Sequence, residues 1–402
     1  MIRLRLVTLA GDSEREANLA AQLSARSDAE LVLRCMDRVE LLAAIRGGGL
    51  DAVVSVGAPA WLDAQCLDEA NRADIPIVGV VGDPLDAEAL RGFGAAVLTS
   101  DATVEEIIET CAAPQERVVR RPLSSQPSMP KGKVIAMWGP KGAPGRTTLA
   151  IELAAELAAS ERETLLVDAD PYGGDSLQLL GVIDELPSVV WATRMAAKEE
   201  LDAGRLSLDL RRVGKNGPVL LPGLARADLW AEVSDFGWRQ LLQVARASYV
   251  FTVCDVGFCL EPERVAYAGL GEGRNMMARS TIIEADHVVA VCRADLVGTK
   301  NFLWAFEELE SLVDKDDVFI VANRVKQSEQ REVGDLIRRH LGKRPIAYVP
   351  DRPGEFARAS KSGTPIGQFH RGSDVCSAIR GLAAALGGSV ATRGFLTRLS
   401  GR

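Results

Sequence analysis

The sequence predicts an α/β protein built as two doubly wound parallel-sheet domains. Three observations carry that reading. Short apolar runs alternate with helical patterns in both halves of the 402-residue chain, as consecutive βα units require. A Pro-rich break without apolar periodicity separates the halves. Just after it, a Gly-rich turn lies between a strand-like and a helix-like run. The length suits two or three domains, each with its own core.

In the first half, 4–9, 29–35, 52–56, 75–81 and 95–98 read as strands. Segments near 13–25, 38–46, 60–72, 85–93 and 103–111 read as the helices between them. Five such units predict one doubly wound sheet over 1–112. Residues 113–132, with Pro122, Pro127 and Pro130, predict a linker. Past it, 133–138, 164–167, 249–254, 288–292, 318–321 and 345–349 read as buried parallel strands of a domain over 133–386.

Charge separates the halves. Residues 1–112 carry 9 basic and 19 acidic groups, a net −10, which leaves +2 of the chain's −8 for the remainder. Such an acidic unit disfavours nucleic acid as its partner. The seven cysteines contain no CxxC pair, and the three histidines are widely spaced. Reduced core thiols are therefore expected, and a disulfide framework or histidine metal cluster is not. No apolar run reaches the roughly 18 residues of a membrane span. The start has no signal-peptide cleavage pattern, so a cytoplasmic protein is expected.

The chemistry concentrates after the linker. Gly139-Pro140-Lys141-Gly142-Ala143-Pro144-Gly145-Arg146-Thr147-Thr148 follows an apolar strand and precedes a good helix. Backbone N–H groups and the helix dipole at such a junction form an anion site. The loop resembles the deviant Walker A motif of the MinD/ParA ATPases, Lys-Gly-Gly-x-Gly-Lys-[Ser/Thr]-[Ser/Thr]. Lys141, Gly142, Gly145, Thr147 and Thr148 match. Pro140, Ala143 and Arg146 depart, the last replacing the P-loop Lys. The exchange keeps the charge but changes its shape, which bears on hydrolysis more than on binding.

The same resemblance implies the other parts. Asp168-Ala169-Asp170-Pro171 is similar to the switch I region, where the second Asp places the attacking water and organises Mg²⁺. Asp255 matches the Walker B Asp and Gly257 the switch II Gly. Asn323-Arg324 looks like the adenine site, and Pro350-Asp351 opens a segment beside the nucleotide. ATP and Mg²⁺ are the implied cofactors, with Thr147, Asp170 and Asp255 at the metal. Lys141 is expected to complete the site of a partner in an ATP-dependent homodimer.

The first half resembles the receiver domain of response regulators without its phosphorylation chemistry. Val56 falls where the phosphoacceptor Asp belongs, Ser100 where the Lys is expected, and Asp12 is the acid left near the first strand. A pseudo-receiver used for protein contacts is implied. Together with the ATPase, it resembles the CpaE/TadZ branch, which positions Flp/Tad pilus machinery and is often described as septum-site-determining. Pilus and division-site proteins both remain open as partners. A scaffold without turnover and a DNA-surface partition ATPase are the alternative readings. The basic end, 387–402, resembles the amphipathic membrane tail of MinD. Phe395, Leu396 and Leu399 share one helical face, so a peripheral contact at the inner membrane face is implied.

Overall fold

A computed structural model describes residues 3–387 apart from 10–13, 58–60, 63, 83–86, 88–89, 92–94, 114–131, 161, 184–185 and 262–272. Asp12, most of the expected linker and the tail with Phe395, Leu396 and Leu399 lie outside the described residues. The described chain falls into two compact units.

The first unit contains β1 (Leu4–Leu9), α1 (Glu14–Ser24), β2 (Ala29–Cys35), α2 (Arg38–Gly47), β3 (Ala52–Val56), α3 (Ala64–Arg72), β4 (Ile77–Val81), β5 (Ala96–Thr99) and α4 (Val104–Ala112). Its sheet runs β2-β1-β3-β4-β5, and every pairing is parallel. This order is that of a receiver-like, flavodoxin-like doubly wound fold. Alternate strand residues feed two separate cores. Val7, Leu9 and Val53 enter one, while Leu6, Ala52 and Val54 enter the other. Val56 ends β3 and Ser100 lies in the turn after β5. Capping is well formed at α4, where the Thr103 side chain and Glu106 make a reciprocal capping box.

In the second unit the strands are β6 (Lys133–Trp138), β7 (Thr164–Ala169), β8 (Arg211–Arg212), β9 (Val219–Leu221), β10 (Phe251–Val256), β11 (His287–Arg293), β12 (Val318–Val325) and β13 (Ala347–Pro350). Its helices are α5 (Arg146–Ala159), α6 (Ser176–Leu179), α7 (Val189–Ala197), α8 (Ala203–Asp209), α9 (Asp235–Ser248), α10 (Met276–Glu284), α11 (Leu296–Glu310), α12 (Gln330–Leu341), α13 (Pro353–Ser362), α14 (Ile366–Phe369) and α15 (Asp374–Ala385). The sheet order is β13-β12-β11-β6-β10-β7-β9-β8. All its pairings are parallel except β8 with β9.

The α/β class expected from the sequence is therefore observed in both units. The second sheet is wider than expected, because the short β8–β9 hairpin adds two strands beyond β7, with β8 at the edge. Strand β10 begins at Phe251 rather than at 249. Tyr249 still belongs to the end of α9, its N–H bonding Ala245 O. The centre of the sheet is buried on both faces: Val134, Ala136 and Trp138 point into one core, and Ile135 and Met137 into the other. Burying one such large side chain contributes about 1.5–3 kcal/mol. The strand that delivers the Gly-rich loop is thus held from both faces.

Candidate nucleotide site

The loop after β6 needs backbone conformations that few residues adopt. Gly142 and Gly145 have φ of 105° and 95°, and Ala143 has φ of 51°. For Ala the left-handed region costs about 1–2 kcal/mol. Gly145 is also tightly enclosed: a Cβ there would meet Asn323 Nδ2 at 2.4 Å. Gly145 caps α5 without a side-chain hydrogen bond. The first-turn N–H groups therefore lack intrahelical partners and face the loop.

Arg146 opens α5 and turns beneath the loop. Its Nη2 donates to Asp170 Oδ2 at 3.0 Å, and its Nη1 donates to Val256 O at 2.8 Å. The guanidinium thus joins the ends of β7 and β10 to the loop helix. Both side chains are nearly buried. Asp170 also accepts the Tyr172 N–H at 2.9 Å, which closes the switch-I-like turn.

Asp255 and Asp168 are opposite one another in the β10–β7 register. Asp255 is fully buried, and neither carboxylate oxygen has a hydrogen-bond partner. Burial pushes its carboxyl up to about 8; Arg146 opposes that shift, and Asp168 adds to it. The Thr147 hydroxyl is near enough to favour the charged form. A doubly orphaned buried carboxylate beside a hydroxyl suits a cation carried in with an anionic ligand. Among the described residues, no group of three or more His, Cys, Asp or Glu side chains could hold a metal without such help.

Asp168 serves the turn itself. Its oxygens accept from Asp170 N at 3.3 Å and Ser176 N at 3.2 Å, and burial raises its carboxyl above the usual range. Gly174 and Gly223 pack against it where a Cβ would come within 3 Å of a carboxylate oxygen. At Gly257 a Cβ would meet Pro171 Cδ at 2.9 Å, so the turns after β7 and β10 touch there.

Lys141 is exposed at the crest of the loop, beside exposed Gly142 and Ala143, while Pro144 is buried and Thr148 half-buried. Asn323 supports the loop from below. Its Nδ2 donates to Pro144 O at 2.7 Å, and its Oδ1 accepts from Arg324 N. Arg324 is exposed with φ of 56°. It shares with Asp351, Arg293, Lys300 and Leu303 a cavity of about 910 Å³, a size suited to a nucleoside. Pro350 ends β13 beside Asp351.

The motifs did not point to the residues that hold the two turns together. Tyr172 Oη donates to Asn275 Oδ1 at 2.8 Å, and its ring lies against Phe258 with centroids 4.8 Å apart. Arg274 lies over the same ring, 4.1 Å from its centroid, and donates to Pro171 O. Arg274 and Asn275 belong to no recognisable pattern. They act by proximity across 103 residues of chain, and only the fold shows that.

An α/β sheet with a Gly-rich loop feeding an uncapped helix, flanked by two strand-end acids, defines a P-loop nucleotide-binding protein. Residues 135–366 match the family model CbiA, described as the CobQ/CobB/MinD/ParA nucleotide binding domain. That match covers more than half of the chain, which therefore belongs to this family.

Among curated proteins, the chain is 57% identical over 42 residues to the chromosome partitioning protein ParA of Myxococcus xanthus, covering 10% of this chain and 15% of that protein. It is 39% identical over 115 residues to the maintenance of carboxysome distribution protein A of Gloeobacter kilaueensis, covering 27% and 47%. The matches thus span less than half the length of either relative. A crystal structure of a ParA family ATPase from Chlorobium tepidum is similar with a TM-score of 0.53 at 17% identity, covering 63% of this chain and 98% of that one. The MinC:MinD complex from Aquifex aeolicus gives 0.50 at 19%, covering 64% and 97%. Both likenesses concern the fold.

Proposed function

We propose that this chain is an ATP-binding, ATP-dependent dimerising protein that positions a larger assembly in the cell, of the CpaE/TadZ kind. The observation that carries the reading is the buried Asp255 carboxylate, without a hydrogen-bond partner, beside Thr147 at the mouth of an uncapped helix. Mg-ATP, when bound, supplies the cation and the phosphate oxygens that such a pocket lacks. Thr147 and Asp255 hold the metal side, with Asp170 placing water. The loop N–H groups and Arg146 hold the phosphates. Asn323, Arg324, Pro350 and Asp351 form the base side, next to the cavity above α11. Exposed Lys141 is free to reach the site of a second copy.

The relatives named above serve chromosome partitioning and carboxysome distribution, which supports a positioning role. The cargo in this reading is Flp/Tad pilus machinery or the division site. The unit over 1–112 acts as a pseudo-receiver: its sheet order fits a receiver, while Val56 cannot accept a phosphoryl group and Ser100 lacks the positive charge of the Lys expected there. Domain limits of 1–112, 113–132 and 133–386 belong to the same proposal, as does a membrane-contacting tail over 387–402. No helix among the described residues is long and apolar enough to cross a membrane.

A second reading is favoured by the Arg146–Asp170 pair, which occupies the acid that would position water. In that reading the protein binds nucleotide without turning it over and serves as a scaffold. Phosphate-release assays on the wild type and Asp170→Ala separate the two. Mass in solution with and without ATP, for the wild type and Lys141→Ala, tests the dimer. A wild-type mass unchanged by ATP removes the switch.

A further inference from the structure

Helix α13 connects the base side of the pocket to the body of the domain, yet none of its residues is buried. Phe356 and Ala359 pack partly buried against the core that also holds Ile366, and the ends of the helix add to fixing its position. At its start, Arg352 pairs with Asp374, and Glu355 accepts from Ser373 Oγ at 2.5 Å. The Arg352–Asp374 contact lies at the surface, where ion pairs are worth little.

The other end is anchored differently. Gly363 terminates α13 with φ of 62°, and a Cβ there would meet Leu180 O at 2.8 Å. Three residues on, the Ile366 N–H donates to both oxygens of Glu152, at 2.9 and 3.1 Å. Glu152 is only 6% exposed, and burial pushes its carboxyl up to about 7. It lies on α5, four residues past Thr148 and on the same helix face.

A buried carboxylate is costly to desolvate, yet an apolar residue of similar size would leave the buried Ile366 N–H without its acceptor. What the carboxylate adds is direction: two acceptors on one N–H fix where the chain turns. Ile366 is itself fully buried, in the core that also holds Leu149 and Leu153 of α5. The anchor therefore runs from the phosphate-loop helix straight to the chain that follows α13.

We propose that Glu152 is a positioning residue that pins the 363–366 segment to the phosphate-loop helix, and so sets the base wall carried by Pro350 and Asp351 relative to the phosphate site. The inference rests on the nucleotide-binding reading given above. It makes the two halves of the ligand separable, because the phosphate loop keeps its own hydrogen bonds without Glu152.

The test compares ATP with inorganic tripolyphosphate by calorimetry on the full chain. Glu152→Ala should weaken ATP binding about tenfold, the scale of a lost charge-assisted hydrogen bond. Tripolyphosphate affinity should stay within about twofold of wild type. Glu152→Gln keeps an acceptor for the Ile366 N–H and should restore most of the ATP affinity. Glu152→Asp keeps the charge but shortens the reach; it should behave like the Ala variant and provides the test if that variant fails to fold. Equal loss for both ligands, or no loss of ATP affinity, overturns the proposal. A wild type that binds neither ligand overturns the nucleotide reading instead.

Discussion

Arg146 donates to Asp170 across 3.0 Å, so the residue expected at the P-loop Lys position is held by the acid expected to place water. The same guanidinium bonds Val256 O. One side chain therefore ties the loop helix to the turns after β7 and β10. Removing the acid leaves a buried guanidinium short of its partner. Asp170→Ala should lower stability by about 3 kcal/mol, whereas Asp170→Asn keeps an acceptor and should lose about half of that. Chemical denaturation of the two variants checks the order. Equal losses would show that the acceptor kept by Asn contributes nothing and that the charge pairing carries the whole effect.

Ala143 stands in the left-handed region with φ of 51°. Glycine removes the local strain but makes the unfolded chain more flexible, so Ala143→Gly should change stability by less than about 1 kcal/mol. Ala143→Val should destabilise by about 2 kcal/mol or more, because branching at Cβ worsens the same clash. Thermal unfolding of the pair reads this directly, and a Val variant as stable as the Gly variant would refute it.

Gly145 meets Asn323 so closely that any side chain must displace the amide holding Pro144 O. Gly145→Ala should therefore reduce both stability and nucleotide affinity. Combining it with Asn323→Ala should recover part of the steric loss but not the cost of φ at 95°. A double variant as impaired as the sum of the singles would place the defect in backbone strain alone.

Glu152 makes stability depend on pH in an unusual direction. Burial raises its folded pKa from the ordinary 4.5 to about 7, so the folded state holds the proton more tightly than the unfolded state. Its destabilising effect is absent below about pH 4, grows as pH rises, and is complete above about pH 7. Glu152→Gln removes that dependence. Relative to wild type, the variant should gain about 3 kcal/mol between pH 4 and pH 8. Denaturant midpoints at the two pH values check this, and parallel pH profiles would contradict it.

None of the seven cysteines is in a disulfide. Burial pushes Cys254 and Cys292 up to about 12, while Cys259 is half-buried beside Asn275. Native alkylation at pH 8 should modify Cys259 well before Cys254 or Cys292. Mass spectrometry of the labelled protein gives the order. Early labelling of Cys254 would mean that the centre of the sheet opens readily.

Local sequence alone determined the strands and the phosphate loop. An apolar run, glycines at turn positions and a helix former following them are all adjacent in the chain, and their conformational preferences act over a few residues. The loop 139–148 and the five strands of the first sheet were legible for that reason. The width of the second sheet was not, because β8 and β9 are two and three residues long. Their runs are too short to show a period and pair only where β7 offers an edge. The partner of each site residue likewise needed the tertiary structure. Asn323 reaches Pro144 across 179 residues, and Glu152 reaches the Ile366 N–H across 214. Such contacts depend on which strand ends the folded sheet brings together. Asn323, expected at the base side, thus also braces the loop through both ends of its amide, and Arg146 lies against Asp170.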